Sequence, residues 1–151
     1  MFRGANKVTL DAKGRMAMPA RYRDFLVERS EGRLVATVDR ADRCLLIYPL
    51  PDWEEIERKL MRLPTLNPQA RRLQRLMVGH ATDLELDSHG RVLVPPKLRE
   101  YAGLTRQAML IGQGSRFELW DEQHWNERRD AWLQAGEEPG ELPAELGQLS
   151  L

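Results

Sequence analysis

The chain states one pattern twice. Leu10-Asp11-Ala12-Lys13-Gly14-Arg15-Met16-Ala17-Met18-Pro19 returns as Leu86-Asp87-Ser88-His89-Gly90-Arg91-Val92-Leu93-Val94-Pro95, with Asp, Gly, Arg and Pro at the same relative positions. Both copies run on alike, Ala20-Arg21-Tyr22-Arg23 against Pro96-Lys97-Leu98-Arg99. Gly14 and Gly90 are 76 residues apart, whereas Trp53 and Trp125 are 72 apart, so the second copy is slightly shorter in between. A repeat at this period restricts the fold more than local propensity does, because each copy must be one small unit that buries its apolar face on the other. With 151 residues, 42% of them hydrophobic, the chain can bury a core that either half alone would hold only marginally.

Each copy predicts the same order of elements. Lys7 to Leu10 reads as a strand, Asp11 to Gly14 as a turn and Arg15 to Met18 as the returning strand, a hairpin with glycine where positive φ is needed. Pro19 then opens a short helix through Leu26, followed by strands over 34–38 and 44–48. The second copy repeats this with strands over 83–86 and 91–94, a helix over 95–102 closed by Gly103, and strands over 108–111 and 116–120. A longer helix ends each half, over 52–63 with a stripe of Trp53, Ile56, Leu60 and Leu63, and over 121–134 with Trp125, Trp132 and Leu133. The tryptophans read as core or helix-packing residues. Asn67 as cap and Pro68 at the first helical position open a connector carrying Arg71, Arg72 and Arg75. The expected organisation is a first repeat over 1–63, a connecting helix over 64–80, a second repeat over 81–135 and an acidic flexible tail over 136–151.

Net charge is zero, but it is split. Residues 1–80 hold 16 Lys or Arg against 10 Asp or Glu, and residues 81–151 hold 7 against 13. Part of the acidity sits in the tail, as Glu137, Glu138, Glu141 and Glu145, so the expected folded body is net positive and able to attract phosphates. Cys44, the single cysteine, excludes an internal disulfide and a multi-cysteine metal site and suits a buried side chain in a reducing cytosol. No segment approaches the roughly 20 apolar residues of a membrane span, so the expectation is a soluble, unexported protein.

The Asp-x-x-Gly-Arg turn has a plain structural account, in which the aspartate caps backbone amides and pairs with the arginine. Nothing in turn geometry, however, demands arginine next and proline four residues later in both copies. A guanidinium suits the O6 and N7 edge of guanine, and a two-stranded ribbon fits the major groove. Arg15 and Arg91 are therefore the candidate base readers, Asp11 and Asp87 the residues that orient them, and Lys13, Lys7 and Arg3 the candidate phosphate contacts. His89 replaces Lys13 in the second copy, which weakens that loop electrostatically. Catalysis finds little support. His80, His89 and His124 lack metal-ligand spacing, Ser30, Ser88 and Ser115 lack a nucleophile-elbow context, and no glycine-rich phosphate loop is present. No cofactor, metal or small-molecule substrate is expected.

The pattern Leu-Asp-x-x-Gly-Arg-apolar-x-apolar-Pro resembles the swapped-hairpin DNA-binding domain of AbrB-type regulators and SpoVT. Its duplication, with Met1-Phe2-Arg3-Gly4, Tyr48-Pro49-Leu50-Pro51-x-Trp53, Asn67-Pro68-x-x-Arg71-Arg72 and Gly79-His80-Ala81, resembles the MraZ family over roughly residues 1–133. That resemblance implies an α+β fold of pseudo-twofold, duplicated swapped-hairpin AbrB-like β-barrel units with flanking helices. It implies a bacterial, nucleoid-associated cytoplasmic regulator, a repressor that binds direct G-containing repeats in the promoter of its own division and cell-wall operon. It also implies ring-shaped homo-oligomers, and the family's Asp-x-x-x-Arg signature falls on Asp11 with Arg15 and on Asp87 with Arg91. Two other classes stay open: an antitoxin that binds a toxin partner, and a scaffold whose hairpins make only subunit contacts.

Overall fold

In the computed structural model, residues 1–135 together with Gln148 and Leu149 are described; the remainder of the expected acidic tail lies outside the described residues. The elements run β1 (Phe2–Thr9), β2 (Arg15–Ala17), α1 (Ala20–Ser30), β3 (Arg33–Val38), β4 (Leu45–Pro49), α2 (Leu50–Met61) and α3 (Pro68–Leu73), which continues into a π turn over Gln74–Val78. The second half follows with β5 (Thr82–Glu85), β6 (Arg91–Leu93), α4 (Pro96–Ala102), β7 (Gln107–Gly114), β8 (Arg116–Asp121) and α5 (Glu122–Ala135). The fold is α+β and antiparallel. As expected, the Asn67 side chain caps α3, accepting from the amides of Gln69 and Ala70, and Gly103 ends α4 in the left-handed conformation.

The strand order explains the repeat. Six strands form one sheet in the order β1-β7-β8-β4-β3-β5, and β2 pairs with β6 in a separate ribbon. Exchanging each strand for its counterpart in the other half reverses that order and leaves it otherwise unchanged, so a pseudo-twofold axis runs between β4 and β8. The first strand of each half lies on the third strand of the other, β1 on β7 and β5 on β3. Two sequence expectations are thereby corrected. The segments over 7–10 and 15–18 do not close a local hairpin, because β1 takes its hydrogen bonds from β7 and only a single bridge, Leu10 to Met16, joins the two. Nor do the described strands close a barrel, since β1 and β5 are opposite edges of an open sheet.

Alternation along the strands decides what covers each face. Leu34, Ala36 and Val38 of β3, Leu45 and Ile47 of β4, Ala108 and Leu110 of β7, and Phe117 and Leu119 of β8 enter one large cluster with Leu26 of α1, Leu98 of α4 and the ribbon. Their neighbours turn to the other face. There Val35, Leu46 and Tyr48 meet Trp53 and Leu60 of α2, while Ile111 and Trp120 meet Cys44 and Trp125 of α5. Burial on both faces is why β3 and β4 read as continuous apolar runs. Helix α5 differs from expectation. It has no fully buried residue, Leu133 is exposed and Trp132 is 44% exposed, although Trp132 still packs edge-on against Trp120 and Trp125.

The ribbon is short, three residues per strand, and a two-stranded pair of that length is marginal on its own. It is anchored from below. Met16, Met18, Val92 and Val94 are fully buried, and each such side chain contributes roughly 1.5–3 kcal/mol relative to exposure. Reciprocal backbone bonds finish the pairing, Met18 N to Gly90 O and Val94 N to Gly14 O, both 2.9 Å. Because every such contact joins the two halves, a fragment ending at residue 80 is expected to be either unfolded or dimeric. Circular dichroism with light-scattering mass measurement checks this, and a folded monomer would contradict the interleaved topology.

Candidate nucleic-acid interface

The two Asp-x-x-Gly-Arg turns are built alike. In the first, Asp11 Oδ1 accepts from the amides of Lys13 and Arg15, both 2.9 Å, and Oδ2 accepts from Arg15 Nε at 2.8 Å. In the second, Asp87 Oδ1 accepts from the amides of His89 and Arg91 at 2.8 and 2.9 Å, and Oδ2 from Arg91 Nε at 2.9 Å. Backbone bonds close each turn, Gly14 N to Asp11 O and Gly90 N to Asp87 O. The chain reverses through Gly14 at φ 87° and Gly90 at φ 74°, which a residue with a Cβ adopts only at a cost. One carboxylate thus holds both the loop and the arginine.

Hydrogen bonding to the charged form lowers a carboxyl pKa. The Arg15 amide, supported by the Arg15 guanidinium and the Lys13 amide, holds Asp11 at about 2, below its ordinary 3.8. The Arg91 amide, then the His89 amide and the Arg91 guanidinium, shift Asp87 in the same direction.

The arginines face outward. Arg15 stands opposite Leu93 and Arg91 opposite Ala17, so alternation puts both arginines on the outer face of the ribbon and Met16 and Val92 on the inner face. The two arginines are diagonal neighbours on that face, a spacing of about 7–8 Å between backbone positions, and each guanidinium is held at its own turn. Their side chains are 32% and 33% exposed. Among the described residues, their side-chain hydrogen bonds leave from Nε alone, and the two terminal nitrogens of each guanidinium make none. The ribbon that presents them is made of one strand from each half, β2 and β6, and not of two strands from the same half.

The remaining candidates are spread out. Lys13 is exposed on the first turn, and His89 occupies its place on the second, 3.3 Å from Ser88 Oγ. Lys7 sits on the edge strand β1 and pairs with Glu122 of α5 at 3.3 Å. Arg3 lies at the far end of β1, roughly 26 Å from Asp11 at the usual strand rise. The turns therefore bring together Asp11, Lys13 and Arg15 on one side and Asp87 and Arg91 on the other, but not Lys7 and Arg3.

A further pair was missed from sequence. Arg23 Nε donates to Met18 O at 2.6 Å and Arg99 Nε to Val94 O at 3.0 Å. Each crosses to the other half's turn: a Cβ at Gly14 would stand 2.5 Å from Arg99 Nε, and one at Gly90 would stand 2.6 Å from Arg23 Nε. The signal was available, because Arg23 and Arg99 are 76 residues apart and so share a repeat position. Elsewhere, one set of possible metal donors occurs among the described residues, Asp39, Cys44 and Glu118, whose donor atoms lie within 4.8 Å of one another. Burial, then the Glu118 and Asp39 charges, push the Cys44 thiol far up, so it is a proton donor to Asp39 and not a thiolate. No described helix is long and apolar enough to cross a membrane.

The family model "MraZ protein, putative antitoxin-like" matches residues 1–76 and again 77–136. The chain is similar over its full length to proteins named "Transcriptional regulator MraZ". It is 59% identical over 152 residues to that of Halorhodospira halophila (strain DSM 244 / SL1), 60% over 151 to that of Thioalkalivibrio sulfidiphilus (strain HL-EbGR7) and 59% over 151 to that of Pseudomonas aeruginosa (strain LESB58). Each alignment covers 100% of both chains.

Two outcomes follow from the turn geometry. Because the folded-state pKa of Asp11 is depressed, its stabilising contribution is complete above its ordinary 3.8 and is lost as pH falls through about 2. Carboxyl-carbon NMR titration should show that midpoint, with the Arg15 Nε proton signal lost in step. Gly14→Ala should cost about 1–2 kcal/mol from the backbone alone, read as a fall of several degrees in Tm. The Arg99 side chain adds a clash at the new Cβ, so Gly14→Ala should cost less when it is introduced into an Arg99→Ala background than into the wild type.

Proposed function

The chain belongs to the MraZ family, and on that premise we propose that it is a sequence-specific transcriptional regulator of double-stranded promoter DNA. The observation that carries this is the pair of guanidiniums on the outer face of the ribbon, each held by its aspartate through Nε with the terminal nitrogens free. Two terminal N–H donors side by side match the O6 and N7 acceptors of guanine in the major groove. Holding the fork in advance lowers the ordering cost of binding. Asp11 and Asp87 are thus the orienting residues, Arg15 and Arg91 the base readers. Lys13 is the near phosphate contact, and Lys7 and Arg3 are outer contacts on the β1 edge, Lys7 only after release from Glu122.

In this proposal the targets are direct G-containing repeats in the promoter of the chain's own division and cell-wall operon, and the effect is repression in the cytoplasm at the nucleoid. The units are duplicated swapped-hairpin domains over 1–63 and 81–135 joined by 64–80, a reading supported by the exchange of β1, β2, β5 and β6 between halves. Specificity comes from number. One bidentate arginine discriminates between bases by about 1–3 kcal/mol, and a ring-shaped homo-oligomer that presents several such patches to several repeats gains avidity without any new contact.

Arg15→Ala should abolish preference for the upstream DNA while leaving the oligomer intact, and Arg15→Lys should not restore it, because an ammonium lacks the fork. Gel retardation against a scrambled duplex, with mass measurement of the assembly, checks both. Normal retardation by the alanine variant would sink the reading.

A further inference from the structure

The pseudo-twofold relation makes the two turns nearly superposable in shape, yet their surroundings differ in charge. Leu10 N donates to Arg106 O at 2.7 Å, and its counterpart Leu86 N donates to Gly32 O at 2.9 Å. The cleft beside the first turn is therefore walled by Thr105, Arg106 and Arg99, and the cleft beside the second by Glu31, Gly32 and Arg23. The cause lies in helix length. Helix α1 has 11 residues and ends directly at the second cleft in left-handed Glu31 and Gly32, whereas α4 has 7, leaving Leu104-Thr105-Arg106 to run along the first.

Charges follow from this. Around the first turn stand Lys13, Arg15, Arg99 and Arg106 with one carboxylate, Asp11; around the second stand Arg91 and Arg23 with two carboxylates, Asp87 and Glu31, and His89. Arg106 is exposed, and its backbone carbonyl accepts from the Leu10 amide. Each cleft is lined in part by residues of the turn itself, Asp11 and Ala12 at the first and Asp87 to Gly90 at the second.

We propose that the cleft formed by Arg99, Thr105 and Arg106 beside the first turn is a binding site for a DNA backbone phosphate, and that the second turn has no such site. It follows that the two halves grip the duplex unequally. The first turn combines a base-reading arginine with Lys13 and Arg106 on the backbone; the second reads with Arg91 while Glu31 repels phosphates. A duplex laid on the ribbon is thereby held in one orientation although the ribbon itself is nearly twofold. This rests on the promoter-binding reading above.

Salt dependence separates the terms, because each phosphate contact contributes to the slope of log K against log salt and base contacts do not. Binding of the full-length protein is measured on a duplex from upstream of its own coding sequence and on a scrambled one, at several salt concentrations and roughly pH 8. Arg106→Ala is expected to weaken both duplexes by the same factor. Between about 50 and 200 mM salt, the wild type should lose about 3.5-fold more affinity than this variant for each engaged protomer. Lys13→Ala should behave like Arg106→Ala, whereas His89→Ala should change neither affinity nor slope. An Arg106→Ala slope equal to the wild type's, or a His89→Ala loss equal to that of Lys13→Ala, would overturn the inference while the wild type's preference for upstream DNA stood. A wild type without that preference would overturn the promoter-binding reading itself, and a wild type that binds neither duplex would overturn both.

Discussion

The pairing of β2 with β6 is the constraint on which the rest of this molecule depends. Three residues per strand supply few hydrogen bonds, so the ribbon exists because Met16, Met18, Val92 and Val94 insert into the core beneath it. Those side chains fill the space between α1, α4 and the sheet, and neither half could fill it alone. The core and the surface that carries the arginines are therefore one cooperative unit. A substitution that loosens Met16 reaches Arg15 through a single peptide, without touching the turn.

Rigidity and exposure are reconciled by the two carboxylates. A guanidinium on a flexible stem costs entropy when it is fixed in a groove. Here Asp11 and Asp87 fix the turn with one oxygen and the arginine with the other, so the order is established before any partner arrives. These are exposed ion pairs of a kind that adds little to stability. Their contribution is to geometry, and that is why a capping turn and an oriented guanidinium coincide in the same residues.

Much of this was legible in the chain. The 76-residue offset announced two equivalent units, Asn67-Pro68 and Gly103 announced helix ends, and the runs over 34–38 and 44–48 announced β3 and β4. What could not be read was which strand pairs with which. Lys7 to Leu10 and Arg15 to Met18 have the alternation and turn residues of a local hairpin, and local pattern carries no term for the longer ladder that β1 makes with β7. The same limit hid Arg23 and Arg99, whose importance lies in crossing to a glycine of the other half. Leu133 misled in the opposite direction: helical spacing put it on the packed stripe with Trp125 and Trp132, but it is exposed, while α5 meets the sheet through those two tryptophans.

Joining the two halves on one chain has a consequence for how such a surface can change. In an assembly of two identical chains, every substitution appears on both sides of the axis, and dilution separates the strands that form the ribbon. Residues 64–80 remove both restrictions. The partner strand is always at hand however scarce the protein is, and a mutation falls on one side only. Thr105-Arg106 on one flank and Glu31-Gly32 on the other are what that freedom leaves behind, a symmetric frame that carries an asymmetric charge.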